Sequence, residues 1–399
     1  MVVYYLIFGI VWNKDRIYIN TELKLVLIWL ITCLISGFAA KDQSIFIERI
    51  ITLSQLVIFF IAGYLIILRG NIKIEHIFAT IIISAVFVLL LGIFQQQKPS
   101  VIIPSSRLTS TAGNPNVLAL FGSIALIFSL YLLSIAKNRF VKLVLFTLQL
   151  IIIIGIVLTE SRKGFIALPL SIMIYFFVSN YKKIIESRHR AKTFMRVGSY
   201  FLILIIVIFT GFQFIKNTEY YGRFESMTRY LDIAGESGGI KALDLSVYQR
   251  QQFIRYGFQM WKDNPIIGVG LGNFRSNIGK YWSLSPRSYA HNNYIQLLST
   301  TGFLGFLAYY SIYLFLFIKL FYIQNKFQLR EKDSIVINIF LTLMFILVII
   351  ELAMVSYSTK IAWLLIMMIS AFSDRILAGA SSLQINKSAV SRPDEGFNR

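Results

Sequence analysis

The composition of this 399-residue chain excludes an ordinary soluble domain. Hydrophobic residues make up 56% of it, charged residues only 15%, and the mean hydropathy is +0.68. A soluble protein of this length has no interior large enough to bury so much apolar surface, so lipid must cover the remainder. The formal net charge of +20 is compatible with this class, because membrane proteins concentrate Lys and Arg in their cytoplasmic loops.

Long apolar runs follow one another along most of the chain. A helix needs roughly 20 largely apolar residues to cross the hydrocarbon core. We predict spans at 22–39, 50–68, 74–94, 114–135, 140–158, 163–180, 198–215, 301–323, 335–355 and 359–377. The opening run, 2–12, is short for a full crossing. The sequence therefore predicts an all-α, polytopic membrane protein with about 10–11 transmembrane helices.

Four parts follow from this pattern. We predict N-terminal transmembrane helices over 1–215, a long polar segment over 216–300, C-terminal transmembrane helices over 301–377, and a disordered cytoplasmic tail over 378–399. The loops that would lie on the same side of the membrane as the basic stretch 180–197 hold most of the Lys and Arg residues of the short loops. This bias places those loops in the cytoplasm and the segment 216–300 on the outer face. The expected partners of this basic stretch are anionic membrane lipids rather than nucleic acid.

The outer segment contains a stretch with helical periodicity, 246–263. Apolar positions recur every three or four residues on one predicted face, which comprises Val247, Arg250, Ile254, Gly257 and Trp261. Arg250 thus lies within an apolar stripe. Two interpretations stay open: its side chain lies along the membrane interface with the guanidinium in water, or it turns toward an anionic ligand.

A glycine run, G-V-G-L-G at 268–272, follows this predicted helix directly after Asn264 and Pro265. Its spacing is GxGxG rather than GxGxxG, so it is not the fingerprint of a dinucleotide-binding fold. Glycine allows left-handed backbone and close backbone approach. We therefore predict a tight turn packed closely against another segment.

Two further candidates lie on the predicted outer face, namely Arg162 in T-E-S-R-K-G (159–164) and His291 with Asn292. Each has a structural alternative, since charged residues in short outer turns often anchor a helix at the interface and a lone His often caps a helix. Arg is a planar, permanently charged phosphate ligand, and His can act as a base near neutral pH. Together with Arg250, they suit a phosphate-containing lipid substrate.

Several other polar residues are less specific. Pro115 between Asn114 and Asn116 predicts a capped helix start. Glu351 is an intramembrane carboxylate and therefore a functional candidate, although the sequence names no partner for it. Arg223 is a weaker candidate for glycan or phosphate contact, and a solvated loop charge is the simpler interpretation.

The order of motifs resembles that of the O-antigen ligase and polymerase family. In that family an Arg precedes a Trp-containing helix, a Pro-x-x-Gly-x-Gly turn follows, and a His-Asn pair precedes a Gly-x-x-Gly at the next span; here all four lie between Arg250 and Gly305. T-E-S-R-K-G and A-G-N-P-N-V-L-A (112–119) resemble two further family motifs. Family members typically have twelve spans, so the resemblance implies a twelve-helix plan that lacks the first helix.

The resemblance implies a glycosyltransferase of the bacterial inner membrane, with its long loop in the periplasm. Arg162 and Arg250 would contact the diphosphate of an undecaprenyl-linked glycan and His291 would activate the acceptor hydroxyl, with Arg223 and Asn292 as further substrate contacts. No cofactor or metal is expected, and the sequence contains no Asp-x-Asp motif.

The identity of the acceptor stays open between two enzyme classes. The spacing from His291 to Gly302 resembles the ligase motif, which implies lipid A-core as acceptor, although Phe306 departs from that motif. A polymerase that joins lipid-linked repeat units is the alternative. A transporter or flippase is less favoured, because the candidate residues cluster at the outer surface rather than in mid-membrane and no internal repeat is evident.

Overall fold

The chain folds into helices throughout the part that its computed structural model describes, which comprises residues 20–96, 108, 113–159, 161–186, 198, 245–283, 285–286 and 288–390. Eleven α-helices occur in these residues: α1 (Thr21–Ser36), α2 (Gln43–Arg69), α3 (Ile74–Gln96), α4 (Pro115–Ile135), α5 (Arg139–Leu158), α6 (Arg162–Glu186), α7 (Leu245–Asp263), α8 (Phe274–Tyr281), α9 (Asn293–Lys326), α10 (Glu331–Glu351) and α11 (Lys360–Val390).

Within the described part, eight helices are long and apolar enough to cross a membrane, namely α1 to α5 and α9 to α11. Helix α6 contains a shorter apolar stretch, Ile166–Asn180. Each predicted span between 22 and 180, and each between 301 and 377, coincides with one of these helices. The predicted all-α, polytopic membrane fold is therefore confirmed, while the short opening run 2–12 and all but the first residue of the predicted span 198–215 lie outside the described residues.

The helices form two groups that meet along α9 and α10. Helix α9 packs against α1, and α11 packs against α2, whereas α3, α5 and α6 surround α4 and α6 also packs against α10. Lipid is as apolar as the side chains, so helix association in a membrane depends on close packing. At Gly122 of α4 a Cβ atom would lie 2.9 Å from Ile156 of α5, so this small residue is what allows the two helices to approach.

Helix α9 breaks at Gly302, where φ is +65°. The break frees two backbone N–H groups, and they donate to the segment after α7: Phe303 to the carbonyl of Pro265 (2.8 Å) and Leu304 to that of Ile266 (3.2 Å). A Cβ atom at Gly302 would lie 2.2 Å from the Ile266 carbonyl oxygen. The predicted boundary between loop and span, at residue 300, thus lies next to the kink at Gly302 that divides α9 into two helical segments.

The glycine run 268–272 packs against this break and against the α1–α2 connection. Gly270 has φ of +95°, and a Cβ atom there would lie 2.5 Å from the Cα of Ala40. The N–H of Val269 donates to the carbonyl of Ser299 (3.0 Å). The prediction of a tight turn with close backbone approach is confirmed, and the turn clamps the outer segment onto the membrane helices.

An ion cluster joins four helices at the opposite end of α9. The ammonium of Lys319 contacts the carboxylates of Glu22 on α1 and Asp374 on α11, the latter at 2.6 Å. Asp374 also accepts hydrogen bonds from the hydroxyl of Tyr64 on α2 (2.7 Å) and the amide of Asn20 (3.2 Å). These five residues, the Lys319 cluster, fasten the end of the bundle that lies away from the candidate site.

Candidate active site

His291 occupies a strained position directly before α9. Its φ is +55°, a left-handed conformation that costs a non-glycine residue about 1–2 kcal/mol. Two neighbouring contacts maintain it: the N–H of Ala290 donates to the side chain of Gln296 (2.9 Å), and Asn292 caps the helix by accepting from the N–H of Ile295 (3.0 Å). Such strain in an ordered segment often marks a functional residue.

The imidazole of His291 is half-buried between aromatic rings. The Tyr289 ring lies 4.0 Å away and the Phe253 ring 6.1 Å away, measured between ring centroids. Asn292, by contrast, uses both ends of its amide within the protein, since its nitrogen donates to the carbonyl of Leu352 (3.0 Å). The contacts of Asn292 place His291, and a direct substrate contact by Asn292 stays a prediction.

Arg250 and Gly257 lie on the covered side of α7 as predicted, but Phe253 and Met260 are buried there instead of the predicted Ile254 and Trp261. Ile254 is 40% exposed, whereas Phe253, Gly257 and Met260 are buried. Arg250 precedes Phe253 by one turn, so it continues this buried face toward the imidazole that Phe253 contacts. The guanidinium is half-buried and close enough to His291 to act on its charge state.

A second cation, which the sequence reasoning missed, lies on α6 near enough to His291 to lower its pKa. This is Lys163, the residue after Arg162 in the T-E-S-R-K-G turn, and its ammonium donates to the backbone carbonyl of Ala353. Its charge also acts on His291. The two adjacent basic residues of this turn, Arg162 and Lys163, were the feature of the sequence that could have revealed it. Arg162 begins α6, and its side chain lies outside the described part of the structure.

The start of α6 is held in place by the Asn-Pro-Asn motif at the start of α4. The hydroxyl of Ser161 donates to the side-chain oxygen of Asn116 (2.8 Å) and accepts from the N–H of Gly164 (3.2 Å). Asn114 caps α4, with Pro115 in the first turn, as predicted. The Asn-Pro-Asn helix entry therefore holds the turn from which Lys163 projects.

The electrostatics of the site favour a neutral imidazole. Burial first, and then the positive charges of Arg250 and Lys163, lower the pKa of His291 from 6.5 to about 4. The imidazole is thus uncharged at neutral pH and free to accept a proton. Among the carboxylates that the structure describes, none lies within 4.0 Å of either cation. An anionic ligand would complete the charge balance.

Residues 147–310 match the family model described as O-antigen ligase. This segment belongs to the O-antigen ligase family. It spans α6, α7, the glycine turn, His291 and the break at Gly302, so the family resemblance of the sequence is confirmed. A search of curated proteins finds no significant match.

The O-antigen ligase segment contains Lys163, Arg250 and His291, whereas the Asn-Pro-Asn entry and Glu351 lie outside it. The match supports a membrane glycosyltransferase of the ligase and polymerase type for this segment. Arg223 lies outside the described residues. No group of three His, Cys, Asp or Glu residues in the described part lies close enough to hold a metal ion.

Proposed function

We propose that the chain is an O-antigen ligase-like glycosyltransferase of the bacterial inner membrane. It would move a glycan from undecaprenyl diphosphate to an acceptor such as lipid A-core at the periplasmic face. The observation that supports this most is the approach of two cations, Arg250 and Lys163, to one neutral histidine from helices far apart in sequence. Such a site offers both charge for a diphosphate and a base for a hydroxyl.

The proposed reaction needs one base and a cationic leaving-group site. The imidazole of His291 takes the proton of the acceptor hydroxyl while that oxygen bonds to the anomeric carbon of the glycan. The bond from that carbon to the phosphate oxygen breaks, and undecaprenyl diphosphate leaves with the electron pair. Arg250, Lys163 and Arg162 would stabilise the charge that develops on it, at about 3–4 kcal/mol for each well-placed donor.

The side of the membrane on which the site would lie is inferred from the basic residues of the short loops. Basic residues are sparse in the short loops at the His291 end of the bundle and abundant at the other end, which favours an outer location for His291. A donor lipid that lies in the outer leaflet would present its diphosphate at this depth. The glycan would then extend toward the long outer segment.

The proposal is tested by expressing the chain in strains that lack either the O-antigen ligase or the O-antigen polymerase. We expect capped lipid A-core in the ligase-null strain, read as a restored ladder on lipopolysaccharide gels. Arg250→Ala should abolish it, whereas Arg255→Ala should not, since Arg255 is an exposed residue of the same helix that stacks on Tyr256 (5.8 Å).

Two other results would revise the proposal. Chain lengthening in the polymerase-null strain alone would assign the polymerase reaction to the same site. Full activity of Arg250→Ala, with the protein inserted at the normal level, would overturn the assignment of this site to either reaction.

A further inference from the structure

Glu351, the last residue of α10, is a fully buried carboxylate whose partners are hydroxyl groups. One oxygen accepts from Tyr313 (2.7 Å), from Tyr309 (3.2 Å) and from Ser356, and the other accepts from Tyr310 (2.9 Å). No cation in the described part of the chain lies within 4.0 Å of it. Four hydroxyl groups are therefore its hydrogen-bond partners.

These hydrogen bonds use both carboxyl oxygens of Glu351. The amide nitrogen of Asn293 donates to the Tyr310 oxygen (3.1 Å), which leaves the Tyr310 proton for Glu351. Three hydroxyl partners on α9 and a fourth at Ser356 make this side chain a firm anchor.

The anchor holds the turn that follows it. Glu351 and Ser356 close a turn over 352–355, and the N–H of Ser356 donates to the side-chain oxygen of Asn293 (3.0 Å). Two carbonyls project from this turn toward the candidate site. The carbonyl of Leu352 accepts from Asn292, and that of Ala353 accepts from Lys163.

We infer that Glu351 is a positioning residue of the active site. By fixing the 352–355 turn it sets both the Asn292 amide that holds His291 and the carbonyl that holds Lys163, although it touches neither substrate nor base. The inference rests on the proposed function, because it assigns a catalytic consequence to the hydrogen bond between Asn292 and the Leu352 carbonyl, which are 60 residues apart in sequence. A purely structural Glu351 would only join α10 to α9.

The test is a double-mutant cycle with Glu351→Gln, Lys163→Met and the double variant, measured as kcat/KM for glycan transfer by the purified full chain. We expect about a tenfold loss for Glu351→Gln, because one oxygen becomes a donor that faces Tyr310. We also expect the double variant to lose about fivefold less than the product of the two single losses, as residues coupled through one contact do.

Asn338→Ala is the matched control, since it removes a buried hydrogen bond between the same two helices (Gln324 to Asn338, 3.2 Å) away from the turn. It should lower the melting temperature without changing kcat/KM. Losses that multiply exactly, or a folded Glu351→Gln with unchanged kcat/KM, would leave Glu351 as a helix contact only. If Glu351→Gln does not fold, Ser356→Ala, which removes one of the four hydroxyl partners, replaces it in the cycle. We again expect a lower kcat/KM and coupling with Lys163→Met, and independent losses or an unchanged kcat/KM would again leave Glu351 as a helix contact only.

The failure of this inference is distinguishable from failure of the proposed function. If Arg250→Ala and Lys163→Met both keep full activity, the site assignment fails. If both lose activity while Glu351→Gln does not, only the positioning role of Glu351 fails.

Discussion

Positive charge has different partners at the two ends of this helix bundle. Lys319 is almost completely buried, yet it lies against two carboxylates, one of which also accepts from a tyrosine and an asparagine. Arg250 and Lys163 lie near a histidine, and no described carboxylate compensates them. Compensated charge thus holds the fold together, whereas uncompensated charge is available to a ligand.

The two arrangements have opposite consequences for stability. Removing one member of a buried ion pair leaves its partner charged in an apolar environment, and this is strongly destabilising. Removing one of two neighbouring cations relieves repulsion instead. Functional sites commonly reduce stability in this way.

The largest effect is expected at the Lys319 cluster. Lys319→Ala should lower the free energy of unfolding by about 3–5 kcal/mol, because Glu22 and Asp374 lose their counter-ion. The measurement is thermal or denaturant unfolding of the purified protein in detergent. Lys326→Ala, at an exposed residue of the same helix, should leave the unfolding transition unchanged. Normal stability of Lys319→Ala combined with loss of transfer would mean that the cluster serves the reaction.

Arg250→Ala should have the converse effect. We expect kcat to fall by about 10²–10³, because a donor to the leaving diphosphate is lost, while the melting temperature stays the same or rises. Activity is measured as glycan transfer from lipid diphosphate, and stability by the unfolding assay used for Lys319→Ala. A variant that unfolds at a much lower temperature would instead place Arg250 among the structural charges.

The pH dependence of transfer should show the effect of the two positive charges on the pKa of His291. Because the imidazole must be neutral to act as a base, kcat/KM should hold until the pH falls to about 4, and protonation should then abolish it. Lys163→Met removes a positive charge, so the pKa of His291 should rise toward 6.5 and the acid limb should move to higher pH. An acid limb near pH 6.5 in the unaltered protein would contradict the electrostatic interpretation.

The smallest effect is expected for Lys163→Arg. The charge is kept, so we expect transfer to fall by less than about tenfold, in contrast to Lys163→Met. The same transfer assay compares the two variants. Equal losses in both would indicate that the ammonium contact with the Ala353 carbonyl, rather than the charge, is what the site requires.

Much of the fold was predictable because hydropathy is a local property. Any run of about 20 apolar residues must lie in lipid or in a core, whatever its neighbours. The capped start at Asn114 and Pro115 and the tight turn at 268–272 were predictable for the same reason, since caps and left-handed turns depend on adjacent residues.

The face of α7 was harder, because apolar residues occupy more than one side of that helix. Both Phe253 and Ile254 suit a buried position, and only the packing against α8 and α9 decides that Phe253 takes it. The helix period is a weak guide where a helix is covered partly by protein and partly by other surroundings.

By itself, the sequence determined that this chain is a many-span helical membrane protein and that Arg250 and His291 are candidates for phosphate and base chemistry. Only the tertiary structure decided that Lys163 joins them, and that Glu351 has four hydroxyl partners at the turn beside the site. The physical reason is that these groups lie on different helices. Their proximity follows from how the helices pack, which no local pattern of residues records.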